Sequence, residues 1–113
     1  MIEKWVEEFK KAWLDRDIRA VLNLFTEDVE YWETPFQKIA VMDLPNAWNA
    51  ILTQKNIKLV IEPLMSDGER HVVRWKLTYD RGNDTSQWAG VYILRLNDDG
   101  RCKYFYQVGE KYE

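Results

Sequence analysis

Arg70-His71-Val72-Val73-Arg74-Trp75-Lys76-Leu77-Thr78-Tyr79 sorts its residues onto two sides with a period of two. In an extended chain His71, Val73, Trp75, Leu77 and Tyr79 share one face, while Val72, Arg74, Lys76 and Thr78 share the other. A period of two with one apolar side marks a strand of an antiparallel sheet that is covered on one face only. Turn signals bracket it: Ser66-Asp67-Gly68-Glu69 before, Arg81-Gly82-Asn83-Asp84 after. Beyond them lie two more strand-like runs, Ile57 to Met65 and Gln87 to Leu96. Asn97-Asp98-Asp99-Gly100 then closes a hairpin onto Arg101 to Gly109. The second half of the chain is therefore predicted to be an antiparallel meander.

The first half has a different period. Ile2, Trp5, Val6, Phe9, Ala12 and Trp13 fall on one side of a helix, with Glu3, Lys4, Glu7, Lys10 and Lys11 opposite. Asp15-Arg16-Asp17 interrupts that stripe, and Asp17 is placed to cap a second helix carrying Ile18, Val21, Leu22 and Phe25 inward. A third helix is expected after Asp43, with Pro45 in its first turn and Leu44, Ala47, Trp48, Ile51 and Leu52 inward. Between the second and third helices, Asp28 to Glu33 alternates as a short strand that Thr34-Pro35 ends. Three helices in the N-terminal half followed by a meander is an α+β layout. A curved antiparallel sheet must then wrap around the helices, and the resulting cone has a mouth suited to a pocket.

At 113 residues the chain has room for one domain, residues 1–113, and it contains no repeat, linker or low-complexity tract. A formal net charge of −3 argues against nucleic acid, which demands a concentrated positive field. No run approaches the roughly 18 apolar residues of a membrane span, so no membrane partner is expected. Met1-Ile2 leads directly into Glu3-Lys4-Trp5 without an apolar leader, which points to a cytoplasmic protein. A single cysteine, Cys102, excludes an internal disulfide and a paired-cysteine metal motif; a single histidine, His71, excludes paired-histidine signatures. Neither metal nor cofactor is expected. His71, after a tight turn, is read as a partly solvated rim residue, and Cys102 as a small hydrophobe. Six Trp, six Tyr and four Phe supply more ring surface than a small core needs, and surplus aromatic surface often lines a ligand site.

The run Leu24-Phe25-Thr26-Glu27-Asp28-Val29-Glu30-Tyr31, after a helix ending in Asp15-Arg16-Asp17, resembles the nuclear transport factor 2-like (cystatin-like) superfamily. Within it the chain is most similar to the SnoaL-like polyketide-cyclase and ketosteroid-isomerase branch. Val91 to Arg101 and the ending Val108-Gly109-Glu110 fit the same pattern, so the resemblance covers the whole chain as one SnoaL-like domain. It implies a cone-shaped α+β fold but no single activity, because this fold hosts isomerases, cyclases, hydrolases and non-enzymatic binders. Carried over residue by residue, it places Glu33 at the position of the proton-transferring carboxylate. Phe9 falls where that branch has an oxyanion-holding tyrosine, and Tyr92 where it has a protonated aspartate.

The residues themselves support a related set. Glu33 shares a strand face with Val29 and Tyr31, where neighbouring rings would raise its pKa into a range useful for acid–base work. Tyr92 lies on the inward side of its strand with Trp88 and Leu94. By the family pattern the Tyr104 side of the last strand faces the cone, which adds Tyr106 as a polar tip. The expected site thus has Glu33 and Tyr92 as catalytic candidates, with Phe9, Trp13, Tyr31, Trp75, Trp88, Leu94 and Tyr106 around a ligand. The expected function is binding of a small apolar or aromatic molecule. Two alternatives stand beside it: a proton-transfer enzyme with Glu33 as base, and an interaction module using the outer sheet face. That face mixes Lys58, Glu62, Arg74, Lys76 and Arg95 with Val60, Leu64, Val72 and Val91, and a homodimer through it is expected.

Overall fold

The computed structural model describes all 113 residues. Helix α1 spans Ile2–Leu14, and the six residues of its apolar stripe are all buried. Arg16 at φ 52° turns the chain, and the Asp17 side chain accepts the Ala20 amide at 3.1 Å to start α2, Ile18–Leu22. The expected short strand is longer than predicted: β1 runs Phe25–Thr34, so Phe25 belongs to it rather than to α2. A hairpin at Pro35-Phe36 adds a strand the sequence did not signal, β2, Gln37–Ile39. Helix α3 covers only Leu44–Trp48 and tightens into a 3₁₀ turn over Asn49–Thr53. That tightening changes the angular step per residue, so Ile51 stays buried while Leu52, expected inward, is 51% exposed.

The meander follows as β3 (Lys55–Asp67), β4 (Arg70–Arg81), β5 (Asp84–Leu96) and β6 (Cys102–Lys111). Gly68, Gly82 and Gly100 adopt positive φ in the three turns that the sequence marks. The sheet order is β2-β1-β6-β5-β4-β3. One pairing departs from the expected antiparallel sheet: β1 runs parallel to β6, with Tyr31 opposite Phe105, so the sheet is mixed. That pairing joins strands about seventy residues apart, and no local pattern carries its direction.

The sheet curls over α1, leaving a closed end and an open end. At the closed end Phe25, Leu96 and Cys102 meet, with Trp5 against Phe25 and its indole N–H donating to the Leu24 carbonyl at 3.0 Å. His71 is also here and is buried rather than at a solvated rim, its Nδ1 2.7 Å from the Ser66 hydroxyl. Burial pushes the Cys102 thiol up to about 12, so it remains a protonated core group. At the open end are the last residues of β1, β4 and β6, the first of β5, and the C-terminal turn of α1.

Candidate functional site

The open end holds a cavity of about 290 Å³ that reaches the surface. Its volume is at the small end for ligand sites, enough for a molecule of one or two rings. The wall comes from α1, α3 with the 3₁₀ turn after it, and the four strands β1, β4, β5 and β6. From α1 comes Trp13, whose indole N–H donates to the buried Gln54 Oε1 at 2.8 Å. Trp48 of α3 stands edge-on to Trp13, ring centroids 5.0 Å apart. Strand β4 supplies Trp75, Leu77 and Tyr79, and β5 supplies Trp88 and Tyr92, with Tyr92 stacked on Trp75 at 5.4 Å. Strand β1 brings Tyr31 and, two residues on, Glu33.

Glu33 is the one carboxylate on this wall, and it is half-buried with no cation paired to it. Burial raises its pKa, because leaving water penalises the charged form; the Tyr31 hydroxyl nearby works against that rise. Tyr31 and Tyr92 are both pushed above the ordinary tyrosine range, chiefly by burial and then by the negative charge of Glu33. Both therefore stay protonated and can donate. The indole N–H groups of Trp48 and Trp75 are buried without a hydrogen-bond partner; that of Trp48 lies beside the Tyr31 hydroxyl without bonding geometry. Such orphaned donors in a folded interior are uncommon, and Thr26 Oγ1, which does not line the cavity, is a third unpartnered atom.

Six of the nine predicted residues meet here: Glu33, Tyr92, Trp13, Tyr31, Trp75 and Trp88. Three do not. Phe9 is fully buried behind the wall, where its ring meets those of Trp13, Trp48 and Tyr92 at 5.6 to 5.9 Å and holds them in place. Leu94 lies in the closed core. Tyr106 is on the outer face, stacked with Tyr104 and near Trp32. The cause is a bulge. Leu96 pairs with Cys102 but Arg95 pairs with Tyr104, so one extra residue enters β6 at Lys103 and reverses every side chain after it. Phe105, Gln107 and Gly109 consequently point inward in place of the tyrosines.

The wall also has residues that the sequence reading did not place at the site: Gln54, Tyr79, Arg81 and Gln107, with Trp48 counted only as core. Gly109 has a visible purpose. A Cβ there would lie 2.7 Å from Cζ2 of Trp75, so glycine leaves the space that the indole occupies.

A family model for the SnoaL-like domain matches residues 6–105. The chain belongs to the SnoaL-like family. No curated protein is similar enough to be matched to it. Among solved structures this SnoaL-like domain is similar to an NTF2-like protein of unknown function from Exiguobacterium sp. 255-15, at 18% identity and a TM-score of 0.76, covering 94% of this chain and 98% of that one. It is also similar to SalBIII, described as an epoxide hydrolase/cyclase-like enzyme in pyran ring formation in the polyether salinomycin. That likeness has 14% identity and a TM-score of 0.80 over 96% and 89% of the two chains. RV0760c from Mycobacterium tuberculosis gives 16% identity and 0.78 over 96% and 93%. At these identities the likeness establishes the NTF2-like fold and leaves activity to the site.

Proposed function

We propose that this SnoaL-like domain binds a small, mostly apolar or aromatic molecule at the open end of its cone. The observation that carries the reading is the cavity itself: about 290 Å³, with four tryptophans and three tyrosines in its wall and Glu33 as its one carboxylate. An interior meant only as core would close those rings on one another. Crystals soaked with small aromatic fragments test the reading. Fragment density between Trp75, Trp88 and Glu33 is the expected result, and a cavity that takes up none of a varied fragment set contradicts it.

A second reading has its own support, the raised pKa of Glu33 between two protonated tyrosines. Glu33 then acts as a general base on an acidic C–H, with Tyr92 polarising the adjacent oxygen. Tyr106, on the other face, has no part in it. Exchange of the α-protons of 2-indanone in deuterated water, followed by NMR, examines this. Accelerated exchange that Glu33→Gln abolishes supports the enzyme; exchange unchanged by that substitution removes it.

The expected homodimer uses the outer face, where Val60, Ile93 and Val108 are 60%, 38% and 40% exposed. A stable pairing there would bury roughly 800 Å² per partner. Light scattering should report twice the 13.6 kDa chain mass at micromolar concentration, and a monomer under those conditions counts against it.

No helix is long and apolar enough to cross a membrane.

A further inference from the structure

The composition of the cavity wall says more about its occupant than that it is apolar. Trp13, Trp48, Trp75 and Trp88 line the space together with Tyr31 and Tyr92. An aromatic ring presents electron density above its plane, and rings that turn a free face to one space make it attractive to positive charge; Tyr31 and Tyr92 each spend one face on a stacked neighbour. The wall contains two ionisable groups of opposite sign, Glu33 and Arg81. They do not neutralise each other: Glu33 is on β1 and Arg81 on β4, with β6 and β5 between them, and no ion pair joins them. Arg81 is exposed at the rim and already engaged, donating to the Thr53 hydroxyl at 2.8 Å and to the Ala50 carbonyl at 2.9 Å.

Arg81 also shows what these rings do. Its guanidinium lies 5.1 Å from the ring centroid of Tyr79, itself part of the wall, within the range of a cation–π contact. The rim thus holds one cation over an aromatic face. The rest of the wall has more aromatic surface, a carboxylate with no ion-pair partner, and no cation of its own.

We infer that the cavity is a cation-selecting site, and that its ligand is an organic ammonium whose charged nitrogen is held among the tryptophans and balanced by Glu33. The inference rests on the ligand-binding reading above and narrows it to one chemical class. An anionic ligand would face the Glu33 carboxylate, and a neutral hydrocarbon would leave that carboxylate half-buried and unpaired. A substituted ammonium suits the wall better than a primary amine, because its methyl or methylene groups bring weakly hydrated positive charge against rings.

Two probes of nearly equal shape separate charge from apolar fit. Benzyltrimethylammonium and neopentylbenzene differ by a cationic nitrogen in place of a quaternary carbon. Binding of each to the intact protein near neutral pH is followed by tryptophan fluorescence. The expected outcome is tighter binding of the ammonium by roughly tenfold or more, given rings plus one opposing charge in a partly dry site. Glu33→Gln should remove most of that margin and leave the affinity for neopentylbenzene unchanged. Trp88→Leu, at a half-buried position, should weaken the ammonium more than its neutral counterpart. Equal or tighter binding of neopentylbenzene overturns the cation inference while the ligand-binding reading stands. A margin that survives Glu33→Gln overturns the role given to the carboxylate. Binding of neither probe overturns this inference together with the reading beneath it.

Discussion

The two ends of the cone are built from the same kinds of residue and do different things. At the closed end Trp5 stacks on Phe9 at 4.8 Å, and Phe25 meets both Trp5 and Phe105 edge-on. Every ring there finds another ring, and the Trp5 N–H finds a carbonyl. At the open end Trp13, Trp48, Trp75 and Trp88 surround a space, and two indole N–H groups lack partners. Composition does not separate core from site; what does is whether the facing element arrives to fill the gap. Here the 3₁₀ turn after α3 only borders the gap, through Ala50 and Ile51, and the glycine at position 109 lets the Trp75 indole stand at its wall.

The largest effect that this contrast predicts is at its pivot. Phe9 is fully buried and touches rings of both ends, so Phe9→Ala should cost about 3–5 kcal/mol in denaturant unfolding. A loss under about 1 kcal/mol would mean that the two ends are packed independently. Gly109→Ala comes next. Its Cβ would press on the Trp75 indole at 2.7 Å, and overpacking of that kind costs about 1–3 kcal/mol. Because the displaced ring moves at the cavity wall, ligand affinity should fall along with stability. Full stability and full affinity in the same variant would contradict the role given to this glycine.

What the sequence made legible follows from the range of each interaction. Strands β3 to β6 announce themselves because an antiparallel sheet covered on one side writes its geometry as local alternation, and Gly68, Gly82 and Gly100 mark turns by local φ. The α1 stripe is equally local. The β1–β6 pairing is not, since its direction depends on two segments at opposite ends of the chain. Tyr106 departs from the expected site for a different reason. Both faces of β6 are aromatic, so periodicity cannot tell inside from outside, and the single extra residue at Lys103 reverses the answer. Gln54 and Gln107 are not legible as site residues because a polar residue lining a cavity looks, in sequence, like any surface residue.

Smaller effects sharpen the contrast. Trp88 is half-buried at the open end, so Trp88→Leu should shift stability by about 1 kcal/mol or less while binding falls clearly. Parallel losses in stability and binding would instead make Trp88 a core residue. Glu33→Gln should be neutral or stabilising near neutral pH. The folded pKa of Glu33 is raised above its unfolded value, so its burial penalty is complete above the folded pKa and is relieved as pH falls through it. The stability advantage of Glu33→Gln should therefore shrink on acidification. An advantage that grows as pH falls, or a marked destabilisation near neutral pH, would make the carboxylate a structural acceptor.

The most direct test of the open end as a ligand site uses the six tryptophans as reporters placed in three environments. With every tryptophan replaced by 5-fluorotryptophan, each indole gives its own fluorine signal. Titration with benzyltrimethylammonium and with indane should move the signals of Trp13, Trp48, Trp75 and Trp88 saturably for at least one of the two. Trp5, in the closed core, and Trp32, on the outer face, should stay still. Movement confined to Trp32, or no response from any indole, would contradict the account.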